Sequence, residues 1–279
     1  MPYSEKEIHD LRKIAATLRG NLIEMIPPGK VGHLGGSSSI MDVVAALYFK
    51  HMKVFDDPKD PRRDRCVFSK GHSVLAQYAA FAELGYVSRD DLHKVKTLDG
   101  VLQGHPDMDH TPGIEAVTGS LGQGLSVSLG MALGLRLEGS GSRVFCVVGD
   151  GELNEGQIWE AAMAGAAYKA DNLTAIIDNN RVQATDATDS VMPCGQIMEK
   201  WAAFGWNAIE INGHDIAEIL DALDRAKACK GKPTAIIANT VKGKGFVFAE
   251  GKAAYHNAAL TEEEYKQAQE LVEKMKEEA

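Results

Sequence analysis

Two polar side chains follow two apolar segments of this sequence at positions where they could bind a metal. Asp150 ends the segment RVFCVVGD (143 to 150), and Asn180 ends the segment NLTAIIDNN (172 to 180). If these segments are neighbouring parallel strands, their carboxyl ends meet at one edge of the sheet, where open α/β sheets bind ligands. A carboxylate and an amide oxygen are hard ligands that suit Mg2+ bound together with water and a diphosphate. We therefore expect a magnesium and diphosphate site at this edge.

The glycines beside Asp150 would let an anion approach the main chain. Gly149 and Gly151 flank the carboxylate, and a helix is predicted to begin soon after them. The free amide groups and the dipole of a helix N-terminus favour a bound phosphate group. A second Gly-rich stretch, TGSLGQG (118 to 124), lacks the Gly-Lys-Ser/Thr ending of a P-loop, so a nucleotide is not expected there.

The elements that would position these residues form a strand, helix, strand unit. A stretch rich in Ala, Glu and Met (157 to 169) separates the two apolar strands, and such a crossover implies a parallel sheet. A helical pattern (214 to 230) then precedes another strand, PTAIIANT (233 to 240). The sequence therefore predicts an α/β fold, with a parallel sheet flanked by helices.

The rest of the chain is predicted to be mainly helical. Three segments with helical periodicity each follow a loop rich in Gly or Ser, so their N-termini are expected to point out of those loops: 39 to 52, 73 to 85 and 124 to 139. The first 20 residues resemble a charged amphipathic helix, and the tail (261 to 279) a charged helix that packs one face. Because no repeat or linker interrupts the sequence, we predict one domain spanning residues 1 to 279.

Composition argues against several classes of protein. The chain has 279 residues, of which 44% are hydrophobic, and this is enough for a large core. A net charge of −9 without long blocks of like charge disfavours nucleic acid as a partner. No apolar stretch is long enough to span a bilayer and no signal peptide is evident, so a cytoplasmic protein without membrane contact is expected. Four widely separated cysteines are expected to be free thiols: Cys66, Cys146, Cys194 and Cys229.

The order GDG, helix, strand, NN resembles the motif that binds thiamin diphosphate. By this resemblance, the side chains of Asp150 and Asn180 and the main-chain carbonyl of Val182 bind the metal, which is Mg2+ or another divalent cation such as Ca2+ or Mn2+. Gly-Asp-Gly by itself is a common turn. Its combination with NN at this spacing, between two apolar strands, is much more specific.

Three loops that precede the GDG narrow the family, because each presents one histidine. They are GKVGHLGGSSS (29 to 39), FSKGHSVLAQYA (68 to 79) and the stretch from 102 to 134 that begins with LQGHPDM. In this order they are similar to the loops of the transketolase family, and the resemblance extends from about residue 10 to 257. It implies the diphosphate-binding half of the transketolase fold.

The resemblance also implies roles for individual residues. Contacts to the cofactor are implied for His72, Gly119, Ser120, Leu121, Gly149, Gly151, Glu155, Asn180 and His256. The sugar channel would be lined by His33, His105 and His256, whose imidazoles can donate and accept protons near neutral pH. Asn257 follows His256 where the family has a glycine, so the sequence departs from the family pattern next to this residue. The other histidines are expected to be solvated or to pack: His9, His51, His93, His110 and His214.

Several charged residues have two interpretations. Glu155 and Glu160 match family positions that relay protons between paired cofactor sites, although an acid pair on a helix is ordinarily a surface feature. The two lysines of VKGKG (241 to 245) could steer a sugar phosphate, but lysines in a Gly-rich turn are usually solvated, and we favour that interpretation.

The resemblance finally implies a partner. In transketolases the chain continues into a domain whose glutamate contacts the aminopyrimidine ring, whereas this sequence ends at Ala279. The active site would therefore be shared with a separate C-terminal subunit that carries the pyrimidine-binding domain, most simply in an α2β2 heterotetramer. The implied activity is transfer of a two-carbon ketol group between sugar phosphates, as in the pentose phosphate pathway, and only with the partner present.

Two alternatives remain open at this point. The chain could belong to another thiamin diphosphate enzyme, of the 2-oxo acid dehydrogenase or decarboxylase type, or it could be a non-catalytic cofactor-binding subunit. The histidine-bearing loops argue against the first, since 2-oxo acids lack the polyol that these histidines would bind. The intact metal ligands argue against the second. The donor and acceptor sugars are not determined by the sequence.

Overall fold

A five-stranded sheet lies at the centre of the molecule, with the strand order β1-β2-β3-β5-β4. The computed structural model describes residues 3–279. The strands are β1 (Arg65–Phe68), β2 (Val144–Gly149), β3 (Leu173–Asn179), β4 (Asn207–Asn212) and β5 (Thr234–Asn239). Every neighbouring pair is parallel, so the predicted α/β fold with a parallel sheet is confirmed.

Helices cover both faces of this sheet. Their bounds are α1 (Glu5–Met25), α2 (Leu34–Ser39), α3 (Met41–Ala46), α4 (Leu75–Leu84), α5 (Arg89–His93), α6 (Gln123–Leu137), α7 (Gly156–Ala167), α8 (Thr188–Val191), α9 (Ile197–Ala203), α10 (Ile216–Ala228) and α11 (Glu262–Glu278). The described residues contain no helix that is long and apolar enough to cross a membrane.

The predicted strand, helix, strand unit is confirmed. β2 and β3 are joined through α7 and pair with Gly149 opposite Asp178. Asp150 directly follows β2, and Asn180 directly follows β3. Both residues therefore lie at the carboxyl edge of the sheet. The predicted strand over 233 to 240 is β5, and the predicted helix over 214 to 230 contains α10.

Two apolar cores lie on opposite faces of the sheet. Phe145 and Val147 of β2 pack into one core together with α1, α3, α4 and α10, whereas Cys146 and Val148 pack into the other together with α6, α7 and α9. Every residue of β3 is buried. Continuous burial of a central strand is typical of a parallel sheet that helices cover on both sides.

A short helix that the sequence does not predict precedes one that it does. The helix predicted over 39 to 52 is found as α3 followed by a π-helical turn (Leu47–His51), whereas α2 lies before it. The sequence of α2 is LGGSSS, which has a low intrinsic helix propensity. Tertiary packing requires this composition, because a Cβ on Gly36 would lie 2.7 Å from the Ser73 hydroxyl oxygen.

The sequence does not predict two of the strands, β1 and β4. β1 has only four residues, which is too short for a periodic signal. β4 (NAIEIN) lies at the edge of the sheet, and its alternation of buried and exposed residues does not match the continuous apolar runs of β2, β3 and β5.

The first and last helices pack together. α1 buries Leu18 and Leu22, and a Cβ on Gly20 would lie 3.2 Å from Val272 of α11. α11 buries only Ala268 and Val272, so the prediction that this charged helix packs one face is confirmed. All four cysteines are free thiols, as the sequence predicts.

Candidate active site

Four loop histidines converge at the carboxyl edge of the sheet. The ring centroids of His72 and His256 are 4.8 Å apart, and the ring of His33 lies 5.3 Å from His72, 5.5 Å from His256 and 6.0 Å from His105. The sequence predicts sites for all four in separate loops, and the structure places them in one cluster. The other five histidines, all of which lie within residues 3–279, are not part of this cluster.

Each loop places its histidine through local structure. His33 directly precedes α2, and His72 lies in a 3-10 turn (Gly71–Ser73) just after β1. Gly32 and Ala258 exchange two main-chain hydrogen bonds of 3.0 Å, which join the loops of His33 and His256. His256 has an ordinary right-handed backbone conformation, and Asn257 does not have a positive φ, so the absence of a glycine after His256 imposes no strain there.

Burial keeps these imidazoles neutral. Desolvation lowers the pKa of His33 to about 3 and of His72 to about 2, with further lowering by His256 and Lys70 respectively. Burial also lowers the pKa of His256 to about 4 and shifts the pKa of His105 downward. A neutral imidazole has one donor and one acceptor nitrogen, so at neutral pH the cluster can hydrogen-bond hydroxyl and carbonyl groups in either sense.

Asp150 and Asn180 lie side by side, as their strand positions predict. One carboxylate oxygen of Asp150 accepts from the Gly151 amide at 2.8 Å, and the other accepts from the Arg181 amide at 2.6 Å. Asn180 donates its amide to Asp178 at 3.0 Å, and its carbonyl oxygen accepts from the Val182 amide at 3.1 Å. Burial, and then the nearby Asp178, raise the pKa of Asp150.

These residues line a cavity of about 330 Å³ whose walls come from every predicted loop. The predicted site residues along it are His33, His72, His105, Gly119, Leu121, Gly149, Asp150, Gly151, Asn180, Val182 and His256. A neighbouring cavity of about 220 Å³ shares Asp150 but contains none of the histidines.

Three acidic or polar residues of the prediction lie outside the cavity. Ser120 is exposed and does not line it. Glu155 is exposed at the start of α7, and Glu160 is exposed one turn further along the same helix. In this chain Glu155 therefore makes no contact within the cavity, and its proton-relay role stays a prediction.

Lys242 corrects an interpretation drawn from the sequence. Both lysines of VKGKG are predicted to be solvated, yet Lys242 is 2% exposed and lines the cavity. Its ammonium donates to Val182 O at 2.8 Å, to Gln183 O at 2.9 Å and to His256 Nδ1 at 2.9 Å. Burial lowers the pKa of Lys242 to about 8. Lys244 does lie near the surface, 3.7 Å from Glu250.

Asn180 is held by a buried ion pair that the sequence does not predict, because its side-chain amide donates to Asp178, the partner of Lys70. Asp178 is fully buried and accepts from Lys70 Nζ at 2.5 Å, from Ser39 Oγ at 2.5 Å, and from Thr240 and Asn180. Although burial opposes ionisation, Lys70 and these donors hold the pKa of Asp178 below its usual value. A carboxylate within an otherwise apolar strand is the signal that could have identified Asp178 beforehand.

The polar groups along the cavity fit an anion and a hard cation. Within residues 3–279 no carboxylate forms a salt bridge with Lys242, so its positive charge is not balanced by a neighbouring carboxylate, although Val182 O, Gln183 O and His256 Nδ1 accept from its ammonium. Among the same residues, no three or more His, Cys, Asp and Glu side chains are grouped to hold a metal. The predicted metal ligands therefore provide one carboxylate, one amide and one carbonyl, and leave the other positions to a diphosphate and water.

Comparison with known proteins identifies the family. Residues 11–275 match the family described as "Transketolase, thiamine diphosphate binding domain". The chain is 45% identical over 274 residues to the 6-deoxy-6-sulfo-D-fructose transketolase subunit SqwG of Clostridium sp. (strain MSTE9), and the match covers 97% of this chain and 98% of that one. It is 41% identical to an apulose-4-phosphate transketolase subunit of Phocaeicola vulgatus, over 93% of this chain and 94% of that one.

Longer transketolases match through part of their length only. Human transketolase is 36% identical over 92% of this chain, but the match spans 41% of the human protein. The crystal structure of transketolase from Campylobacter jejuni superposes with a TM-score of 0.87 at 32% identity, over 94% of this chain and 42% of that one. This chain therefore belongs to the transketolase family of transferases and forms its thiamin diphosphate-binding part.

Proposed function

We propose that this chain is the diphosphate-binding subunit of a thiamin diphosphate-dependent transketolase, which moves a two-carbon ketol group from a ketose phosphate to an aldose phosphate. The observation that carries the proposal is the meeting of the four-histidine cluster with the Asp150 and Asn180 edge in one cavity. A polyol substrate and a diphosphate cofactor require these two kinds of group beside each other.

At one end of the cavity the chain would hold the cofactor's diphosphate. Lys242 supplies a buried positive charge, and His72 and the main chain at Gly119, Leu121 and Gly151 supply neutral donors. The metal, Mg2+ or another divalent cation, would be bound by Asp150, Asn180 and the carbonyl of Val182. Bound thiamin diphosphate supplies the carbanion chemistry that breaks and forms the carbon–carbon bond.

At the other end of the cavity the chain's residues would bind the sugar. His33, His105 and His256 are neutral at physiological pH, so each can donate a hydrogen bond to a sugar hydroxyl or carbonyl, or accept one from a hydroxyl. His33 and His256 are half-buried, which limits access of water to the reacting carbons, whereas His105 is exposed.

A separate subunit would complete the site. Two relatives that match over more than 90% of their own length are named transketolase subunits, whereas the single-chain human enzyme is more than twice as long as its matched part. We propose a partner that carries the pyrimidine-binding domain, in an α2β2 assembly, with residues 1 to 279 forming one domain. The ketose donor would carry an anionic group, and xylulose 5-phosphate is a suitable first substrate.

The test is reconstitution from two chains. The 279-residue chain is purified, supplied with Mg2+ and thiamin diphosphate, and assayed for aldehyde release from xylulose 5-phosphate with and without the pyrimidine-binding chain. We expect turnover only from the mixture. Robust turnover by the chain alone would refute the two-subunit proposal, and release of CO2 from a 2-oxo acid in place of ketol transfer would assign the chain to the other class of thiamin enzyme.

A further inference from the structure

A buried glutamate connects three loops around the cavity. The carboxylate of Glu152 is 2% exposed and accepts hydrogen bonds from Ser69 Oγ at 2.5 Å, from the Gly122 amide at 2.8 Å and from the Gly149 amide at 3.0 Å. Two of these bonds share one carboxylate oxygen, and the third uses the other. The three donors come from parts of the chain that are far apart in sequence.

Each of these loops contributes a different part of the cavity. Ser69 lies three residues before His72, Gly122 directly follows Leu121, and Gly149 directly precedes Asp150. A shift of any one loop relative to the other two would therefore separate groups that must act on one diphosphate. Glu152 is the only side chain within residues 3–279 that hydrogen-bonds all three loops.

The loops also meet through their main chains, which leaves little room for compensation. A Cβ on Gly124 would lie 2.6 Å from Ser69 Cα, and Thr118 Oγ1 donates to Phe68 O at 2.6 Å. The Ser69 amide also donates to Val147 O of β2 at 2.8 Å, so main-chain contacts fix how near these loops approach. The three hydrogen bonds of Glu152 add a side-chain constraint that joins all three loops at one carboxylate.

The chemistry of the three partners requires a carboxylate at this position. Both amides can only donate, so the acceptor must present an oxygen to each of them, and Ser69 donates to one of the same oxygens. A glutamine would turn an NH2 group towards at least one donor. Within the described residues no salt bridge holds Glu152 in place, since the nearby Lys70 is paired with Asp178. The hydrogen bonds alone therefore position it.

We propose that Glu152 is a positioning residue that preorganises the diphosphate-binding loops. It holds the loops of His72, Leu121 and Asp150 in one arrangement before the cofactor binds. The proposal rests on the proposed function, since it concerns the same cavity. Its consequence is that loss of the carboxylate weakens thiamin diphosphate binding more than it slows the reaction of the complex that has bound cofactor.

The test compares Glu152→Gln with a matched control at the opposite end of the sheet. Asp64 is also a buried carboxylate, 5% exposed, and accepts from the amides of Lys53 at 2.9 Å and Arg143 at 2.8 Å. It lies just before β1, far from the cavity, so Asp64→Asn removes similar hydrogen bonds elsewhere. Thiamin diphosphate affinity is measured by calorimetry on the reconstituted two-subunit complex, and hydrogen exchange of the Gly122 and Gly149 amides on the chain without cofactor.

We expect Glu152→Gln to weaken cofactor binding by about 10- to 100-fold, with turnover at saturating cofactor within a few-fold of wild type. Exchange of the Gly122 and Gly149 amides should accelerate. Asp64→Asn should lower the unfolding midpoint of the chain but leave the dissociation constant for the cofactor unchanged. Equal affinity losses in the two variants would overturn the proposal, because they would reflect general destabilisation.

Two more variants keep the test decisive if Glu152→Gln does not fold. Ser69→Ala removes one donor and retains the carboxylate, and should weaken binding by a smaller factor. Glu152→Asp keeps the charge and should recover part of the affinity. Unchanged affinity in Ser69→Ala and in either Glu152 variant would overturn the positioning role. Failure of the wild-type complex to bind thiamin diphosphate would instead refute the proposed function.

Discussion

The two ends of the cavity differ in how completely their polar groups are satisfied. At the diphosphate end, Asp178 has four donors and the ammonium of Lys242 has three acceptors. At the sugar end, His256 Nδ1 accepts from Lys242, but no hydrogen bond to the rings of His33 or His105 forms within residues 3–279, and His33 Nδ1 is buried without a partner. One end is a fixed network of charges, and the other is a set of neutral rings.

This difference indicates separate roles for the two ends of the cavity. Buried charges are costly unless they are paired, so a network that holds them rigidly before the cofactor arrives reduces the reorganisation that binding requires. Neutral imidazoles with unsatisfied nitrogens cost less to bury, and they gain hydrogen bonds when a polyol enters. We therefore expect substitutions at one end to change cofactor affinity, and substitutions at the other to change turnover.

The largest effect is expected at the metal. Asp150→Ala removes the only carboxylate among the proposed ligands and leaves the diphosphate charge poorly compensated. The loss in thiamin diphosphate affinity should exceed the roughly 10- to 100-fold typical of groups that act only through a ligand. Calorimetry of the reconstituted complex with Mg2+ measures it. Unchanged, magnesium-dependent binding would refute the assignment of Asp150.

The second prediction tests the sugar end. His105→Ala should reduce turnover of a ketose donor by roughly a hundredfold, because it removes a donor that acts on the reacting sugar. Cofactor affinity should stay close to wild type. His110→Ala is the matched control, since His110 is exposed and contacts Asp107 outside the cavity. If His105→Ala abolished cofactor binding and spared turnover at saturating cofactor, the roles of His72 and His105 would be exchanged.

The sequence predicts the histidine end better than the charged end. His33, His72, His105 and His256 are identifiable because each lies in a loop of the same character, and Asp150 because it ends an apolar strand. Lys70 and Lys242 are not, because the burial of a lysine depends on which segments fold over it. The turn VKGKG has the composition of a solvated loop, and only the packing of α2 against it reveals that Lys242 is enclosed.

In the fold, too, the sequence predicts elements with a local pattern but not those that depend on tertiary contacts. Apolar runs predict β2, β3 and β5, and they correctly place β2 beside β3, because a crossover helix imposes parallel pairing. The Gly- and Ser-rich α2 is not predicted, because its residues have low helix propensity and its glycines are explained only by the close approach of Ser73 and Lys242. Glu152 lies next to a motif that the sequence identifies, but its partners Ser69 and Gly122 are 83 and 30 residues away in the chain, so no local pattern indicates them.

A third variant asks whether charge or hydrogen bonding matters at Lys242. Lys242→Gln keeps a donor and removes the positive charge, and we expect about a tenfold loss in cofactor affinity, the lower end of what a hydrogen bond to a charged group contributes. The dependence of affinity on salt should also decrease. Lys244→Gln, in the same turn, should change neither. Equal effects of the two substitutions would mean that the turn contributes only a general positive field.

The smallest expected effect is on the free energy of unfolding at low pH, and it concerns the histidines of the sugar end. In the unfolded chain a histidine binds its proton near pH 6.5. Burial lowers the pKa of His33 to about 3 and of His256 to about 4 in the folded chain. Between these values and 6.5 the unfolded state binds more protons than the folded state, so the free energy of unfolding decreases as the pH falls through this window.

His33→Gln removes one of these proton-binding groups from the unfolded state and should therefore make the decrease less steep. The measurement is the urea midpoint of the cofactor-free chain from pH 7.5 to pH 4.5, at low protein concentration to limit association. His93→Gln, at an exposed position outside the cavity, should retain the wild-type slope. Carboxylates titrate in the same range in all three proteins, so the difference between slopes isolates the histidine. Identical slopes for wild type and His33→Gln would mean that the pKa of His33 is the same in the folded and the unfolded chain, so that burial does not keep this ring neutral in acid.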